Sequence, residues 1–192
     1  MKILVTGSTG FIGNYVINEL LKYDLDIIAT ARNEDKAKKQ NWFDKVKFLS
    51  CDLNSQINFF NYFDQPDAVI HLAWEGLPNY KELFHIERNL PNDIFFLSNL
   101  IKAGLKKLTV TGTCLEYGLV NGCLSEEIIT NPQNPYGIAK DTLRKYLESL
   151  ENQKNCLRNS LLHNSFQFSI ISPKSKRFII IIWIIPKIQF NG

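Results

Sequence analysis

Lys2-Ile3-Leu4-Val5-Thr6-Gly7-Ser8-Thr9-Gly10-Phe11-Ile12-Gly13 is the stretch on which the fold turns. An apolar run with the composition of a buried strand passes directly into glycines at 7, 10 and 13. A segment follows in which Ile12, Val16, Ile17, Leu20 and Leu21 recur at helical spacing. Each glycine has a task in such a strand-turn-helix unit. Gly7 makes the tight turn, Gly10 lets the backbone approach a pyrophosphate, and Gly13 lets the helix pack close to the strand. The helix N-terminus then faces the anion with its backbone N–H groups and its positive dipole end. The context, more than the glycines alone, predicts nucleotide binding here.

Working outward, short β-branched runs alternate with helix-period segments, the pattern of a parallel sheet wrapped by helices. Strands are predicted at 2–6, 26–30, 47–51, 68–72 and 107–111, and helices at 34–39, 55–63 and 87–103, the last ended by Gly104. Pro135 opens a further helix in which Tyr136, Ala139, Lys140, Leu143, Leu147 and Leu150 share a face. The expected class is therefore α/β, a Rossmann doubly wound parallel sheet over residues 1–151. Its ligand site is expected at the switch point beside the first strand.

The end of the second strand reads Ala29-Thr30-Ala31-Arg32-Asn33. No acid stands there to bind ribose hydroxyls, and Arg32 lies just beyond, which favours the 2′-phosphate of NADP over NAD. Arg32 solvated, or paired with Glu34, is the bland alternative. Asp52, directly after the third strand, is placed either to accept from an adenine amino group or to cap its own turn.

Tyr136-Gly137-Ile138-Ala139-Lys140 sets a phenol and an ammonium four residues apart, hence on one helix face. A neighbouring Lys⁺ lowers the cost of a phenolate, which would make Tyr136 an acid/base near neutral pH. The Thr-rich stretch Thr111-Gly112-Thr113-Cys114-Leu115-Glu116-Tyr117-Gly118 precedes it at the fifth strand's end.

With these pieces in order, residues 1–150 resemble the extended short-chain dehydrogenase/reductase family, the nucleotide-sugar epimerases, dehydratases and reductases. The resemblance rests on Thr-Gly-x-x-Gly-Phe-Ile-Gly at 6–13, Asp52-Leu53, Asp67-Ala68-Val69-Ile70-His71-Leu72-Ala73, Asn89, and Asn134-Pro135-Tyr136-Gly137-x-x-Lys140. It implies Tyr136 as the acid/base, Lys140 holding the nicotinamide ribose and tuning Tyr136, and Thr113 hydrogen-bonding the reacting sugar oxygen. It implies a cofactor, NADP or NAD, held by Gly7, Thr9, Gly10, Phe11, Ile12, Gly13, Arg32, Asp52, Leu53, Leu72, Ala73, Asn89 and Thr111, together with Tyr136 and Lys140. No metal is expected. The implied partners are a nucleotide-sugar substrate and, through the helices at 87–103 and 135–150, a second copy in a homodimer.

The family's dehydratases resemble one another in an Asp-Glu pair directly after the catalytic Thr. Here those positions are Cys114 and Leu115, which cannot supply acid and base. Glu116 comes one residue late and, on a strand, would face the other way. A 4-keto-6-deoxysugar reductase is thus the first expectation and a 4-epimerase the second. His71 is expected to pack by the cofactor rather than to react, Trp74 to line a pocket or close a loop, and Cys114 to be a small buried residue. His85 and His163 have no convergent partners in the sequence.

Composition adds boundaries. The 192 residues carry 22 Lys+Arg against 19 Asp+Glu, a net +3, with 45% hydrophobic and 21% charged residues. That balance excludes a disordered chain and a dedicated nucleic-acid binder. Cys51, Cys114, Cys123 and Cys156 show no metal spacing and read as free thiols of a reducing cytoplasm. Met1 to Val5 is too short for a signal peptide. The apolar run from 178 to 185 is too short to span a bilayer.

The charge is unevenly spread. No Asp or Glu follows Glu151, so residues 1–151 carry −3 and 152–192 carry +6. Ile, Ser, Asn, Phe and Lys supply 27 of those last 41 residues, and the family's next strand and sugar-binding domain have no counterpart there. The tail is therefore expected to be a frameshifted or truncated end rather than a native domain. A noncatalytic remnant that binds only dinucleotide, or an interaction protein, stands as the alternative to an enzyme.

Overall fold

The computed structural model describes residues 1–120, 124–125, 127–156, 167–171 and 180–185. Five strands, β1 (Lys2–Thr6), β2 (Asp26–Ala31), β3 (Lys47–Ser50), β4 (Ala68–His71) and β5 (Lys107–Thr111), pair in parallel in the order β3-β2-β1-β4-β5. The order reverses at β1, so the switch point falls where the first sequence stretch predicted it. The connecting helices are α1 (Phe11–Leu20), α2 (Glu34–Lys38), α3 (Phe59–Tyr62) and α4 (Leu90–Lys102), followed after β5 by α5 (Pro135–Cys156).

By contact the chain divides into two compact units. Met1–Trp74 with Phe96–Val110 belong to the first, and Glu75–Phe95 with the described part of Thr111–Pro186 to the second. In the first unit, strand alternation splits the apolar residues between two faces. Ile3, Val5, Ile17, Ile27, Ala29, Ala37, Trp42 and Ala68 form one core cluster. Trp42 is wholly buried, and its indole N–H donates to Asn14 Oδ1 at 2.9 Å, which ties α1 to the segment after α2. A second group stacks Phe59, Phe63 and Phe96, with Phe96 edge-on to Phe59 at 4.8 Å.

Two boundaries depart from the sequence expectation. The predicted helix at 55–63 is reduced to Phe59–Tyr62, because residues 52–55 close a turn on Asp52 and Asn58 caps the helix with its side chain. The predicted helix at 87–103 begins as a five-residue π-helical turn, His85–Asn89, and becomes α-helical at Leu90. In the second unit, α5 buries Tyr136, Ala139, Lys140, Leu143 and Leu147, the face read from their spacing. Within 152–192, α5 runs on to Cys156, and β6 (Gln167–Ile171) pairs antiparallel with β7 (Ile180–Ile185).

Candidate active site

The glycine loop of the first unit has the shape its spacing predicted. Gly7 has φ +65, a left-handed conformation that a side chain would strain. A Cβ there would also sit 2.8 Å from Ala73 N, so Ala73 and Leu72 at the end of β4 back the turn directly. At Gly13 a Cβ would meet Gly7 O at 2.3 Å, whereas at Gly10 it would meet only Gly7 O at 3.2 Å. Gly13 thus allows close helix-to-turn packing. The helix begins at Gly10 with no side-chain cap, which leaves first-turn N–H groups to an outside acceptor. A ten-residue helix with such an entry fits a dinucleotide pyrophosphate.

Beside the loop, Thr6 Oγ1 accepts from Leu72 N at 3.1 Å and lies 2.9 Å from His71 Nδ1. His71 is fully buried, with its ring 5.4 Å from Phe96, so its packing role within the sheet is structural. Arg32 is exposed at the end of β2, and Glu34 pairs with Lys38 at 3.0 Å. Asp52 takes the turn-capping role: Oδ1 accepts from Asn54 N at 3.0 Å, and its carbonyl accepts from Ser55. Phe11 is exposed and stands edge-on to Tyr15.

The residues expected to serve as acid/base, Tyr136 and Lys140, lie in the second unit. Tyr136 is buried, its N–H donates to Tyr80 O at 3.1 Å, and its phenol shares a side-chain hydrogen bond with Thr113. Thr113 and Tyr136, far apart in sequence, are therefore brought into contact. Gly137 permits this approach, since a Cβ on it would lie 2.5 Å from Leu115 O. Lys140 follows one turn later, buried, within the electrostatic reach of Asp93 and Glu116.

The electrostatics correct one expectation. Tyr136 is not drawn toward neutrality by Lys140. Burial raises its pKa first and the Glu116 charge raises it further, with only the Thr113 bond acting the other way. Burial also lowers the pKa of Lys140, and the carboxylates of Asp93 and Glu116 oppose that change. Without ligands the site holds Tyr136 as a phenol, a proton donor.

Glu116 requires a second correction. It does not lie on a strand facing away, because the chain enters a 3-10 turn at Cys114–Glu116 immediately after Thr113. The turn is closed by a capping box. Thr113 Oγ1 accepts from Leu115 N at 3.3 Å, and Glu116 Oε1 accepts from Thr113 N at 2.7 Å. Glu116 is completely buried, and its other oxygen lies 3.7 Å from Arg144 Nε. Desolvation pushes its pKa from 4.5 up to about 7, against the opposing pull of the Thr113 N–H, Lys140 and Arg144.

Sequence reasoning also missed His85. The π-helical turn buries it with its ring 5.2 Å from that of Tyr136. Its Nε2 donates to Asn79 O at 3.0 Å, and Asn89 Nδ2 approaches its Nδ1 at 3.4 Å. Asn89 also donates to Glu75 O at 2.9 Å, so its buried amide braces the loop that precedes the turn. Cys114 is half-buried with a free thiol, as is the buried Cys51. Trp74 and Leu53 are half-buried, and His163 lies outside the described residues. Among the described residues there is no group of His, Cys, Asp and Glu suited to a metal ion, and no helix long and apolar enough to cross a membrane.

Comparison with known proteins agrees with this fold. The sequence model of the NAD dependent epimerase/dehydratase family matches residues 3–164. A dTDP-6-deoxy-L-talose 4-dehydrogenase (NAD(+)) of Aggregatibacter actinomycetemcomitans is 31% identical over 147 residues, covering 76% of this chain and 53% of that protein. A UDP-glucose 4-epimerase of Lactobacillus helveticus is 29% identical, covering 77% and 46%. Among solved structures, the UDP-glucose 4-epimerase of Thermotoga maritima with UDP-glucose superposes with a TM-score of 0.68 at 27% identity, over 80% of this chain and 52% of that one. A UDP-glucose-4-epimerase of Stenotrophomonas maltophila with bound NAD and formylated UDP-arabinopyranose gives 0.71 at 21% identity, covering 81% and 50%, a likeness of fold. The chain spans about half the length of the curated relatives it matches.

Proposed function

Because the chain belongs to the NAD dependent epimerase/dehydratase family, we propose that it acts on a nucleotide-activated sugar as a 4-keto-6-deoxysugar reductase. The observation that carries this reading is the Thr113–Tyr136–Lys140 cluster with its phenol held protonated. Reduction of a ketone needs a hydride at carbon and a proton at oxygen. A nicotinamide dinucleotide supplies the hydride when bound. Tyr136 supplies the proton, and Thr113 hydrogen-bonds the carbonyl oxygen that receives it. The ammonium form of Lys140, favoured by Asp93 and Glu116 against burial, offsets the phenolate left behind. The similarity to a dTDP-6-deoxysugar 4-dehydrogenase supports chemistry at carbon 4 of a deoxysugar, since oxidation and reduction are one reaction in two directions.

The pyrophosphate is assigned to the backbone N–H groups after Gly10, with Gly7, Thr9, Phe11, Ile12 and Gly13 shaping the cradle. Leu72, Ala73 and Thr111 at strand ends, with Leu53 and Asn89, complete the proposed contacts. Asp52 is assigned the adenine amino group alongside its turn. Arg32 supports NADP, and the relative's NAD(+) supports the unphosphorylated cofactor. A homodimer and a reducing cytoplasmic setting complete the reading. Epimerisation at carbon 4 is the second reading, favoured by the matches to UDP-glucose 4-epimerases.

Fluorescence titration of the purified chain with NADPH and NADH, followed by assay of 4-ketosugar nucleotides, tests the proposal. Tight binding of one dinucleotide and turnover abolished by Tyr136→Phe are the expected results. Binding without turnover would make the chain a dinucleotide-binding remnant, and no binding refutes the cofactor assignments.

A further inference from the structure

The family reading uses Thr113, Tyr136 and Lys140 and gives Glu116 no task. Yet Glu116 is a fully buried carboxylate bonded to Thr113 and within electrostatic reach of Tyr136 and Lys140. One oxygen, Oε1, fixes the catalytic threonine by accepting from the Thr113 N–H at 2.7 Å. The other, Oε2, makes no hydrogen bond among the described residues and lies 3.7 Å from Arg144 Nε. Arg144 is in turn held by Asp141 at 2.6 Å and Glu148 at 2.6 Å. Tyr136, Lys140 and Arg144 stand four residues apart on α5, so one stripe of that helix presents a phenol and two cations. Glu116, on the 3-10 turn packed against that helix, feels the two cations in a low dielectric.

We propose that Glu116 is a positioning residue that also carries an exchangeable proton for the Tyr136–Lys140 site, so that its ionisation sets how readily Tyr136 gives up its own. The proposal rests on the reductase reading above for its catalytic consequence, but not for the titration itself.

The groups facing Glu116 define the sign. Lys140 and Arg144 of α5 favour its ionised form, and Asp141, also of α5, opposes it. Asp93 of α4 and Glu116 both help to keep Lys140 charged. Once ionised, Glu116 makes the Tyr136 phenolate harder to form, as do Tyr80 and Cys114 to a smaller extent. Its balance near neutral pH comes from burial, which favours the protonated acid, working against two cations that favour the carboxylate. Proton donation from Tyr136 is accordingly easier below that balance point and harder above it. The capping bond to the Thr113 N–H needs only an acceptor oxygen and survives in either state.

Infrared difference spectra of the full chain, wild type against Glu116→Gln, read the proton directly. The carbonyl band of a protonated carboxylic acid is expected at pH 5 in the wild type only, disappearing with a midpoint within about one pH unit of 7. Lys140→Met is expected to move that midpoint up by about one unit or more, since it removes a facing cation. A midpoint in the ordinary carboxylate range, or one that Lys140→Met leaves in place, overturns the proposal. If the wild type reduces a 4-ketosugar nucleotide, kcat is expected to fall several-fold as pH rises through 7. Glu116→Gln should erase that limb and leave KM within about twofold. A limb that persists in Glu116→Gln refutes the catalytic consequence. No turnover by the wild type refutes the reductase reading, while the infrared titration still decides the proton.

Discussion

Replacing Glu116 with Gln should change how the stability of the chain depends on pH, and the structure supplies the size. In the unfolded chain this carboxyl titrates near 4.5, and in the folded chain at about 7. Each pH unit between those values is worth about 1.4 kcal/mol, so the whole interval amounts to about 3 kcal/mol. The sign follows from proton counting. Between the two values the folded chain binds the proton and the unfolded chain does not, so stability falls as pH rises. The contribution is fully present below 4.5 and is lost as pH rises through about 7. Gln accepts from Thr113 N as Glu does but carries no proton to lose. The stability of wild type minus that of Glu116→Gln should therefore drop by about 3 kcal/mol between pH 4.5 and pH 8. Asp64, Asp67 and Asp141, whose pKa values are lowered by their partners, give the opposite slope only below their ordinary 3.8, outside this window. Urea unfolding followed by tryptophan fluorescence, at constant ionic strength and half-unit pH steps, measures the difference. Two curves that stay parallel within about 0.5 kcal/mol across the window would refute the linkage.

Other substitutions test other parts of the same structure. Gly13→Ala drives a Cβ to within 2.3 Å of Gly7 O. The turn must give way, and dinucleotide affinity in a fluorescence titration should fall at least about tenfold, a loss of 1.4 kcal/mol; unchanged affinity argues against the cradle. Phe96→Ala removes a wholly buried ring that packs edge-on to Phe59 and tilted against His71. It should cost about 3–5 kcal/mol in urea unfolding. Arg144→Met takes a cation from the Glu116 carboxyl and one ion-pair partner each from Asp141, which keeps Lys145, and Glu148. The infrared midpoint of Glu116 should rise, and a fall would contradict the charge assignment.

Much of this was legible because it is local. The strands at 2–6 and 107–111 coincide with their apolar runs, and the buried face of α5 was counted from a spacing of three and four. The glycine positions stated their own geometry, since only a left-handed turn and a helix without clearance need them. What remained hidden depends on how the backbone leaves regular structure. Glu116 was assigned to a strand face because nothing in Thr-Cys-Leu-Glu requires a 3-10 turn, although Thr113 with Glu116 three residues later is a capping-box pattern. Arg144 was available to the same counting that found Lys140, one more step of four along α5. His85 offered no signal, since a π-helical turn and the tertiary approach of Tyr136 create its environment.

The near-contact of Gly137 with the Leu115 carbonyl, like that of Gly118 with the Asn131 carbonyl, leaves no room between two backbone segments. The main-chain segments that carry Thr113 and Tyr136 are thereby held as close as backbone allows, and their side chains need only bridge what remains. A change at residue 137, even by one methyl group, would be felt first as a misplaced proton donor.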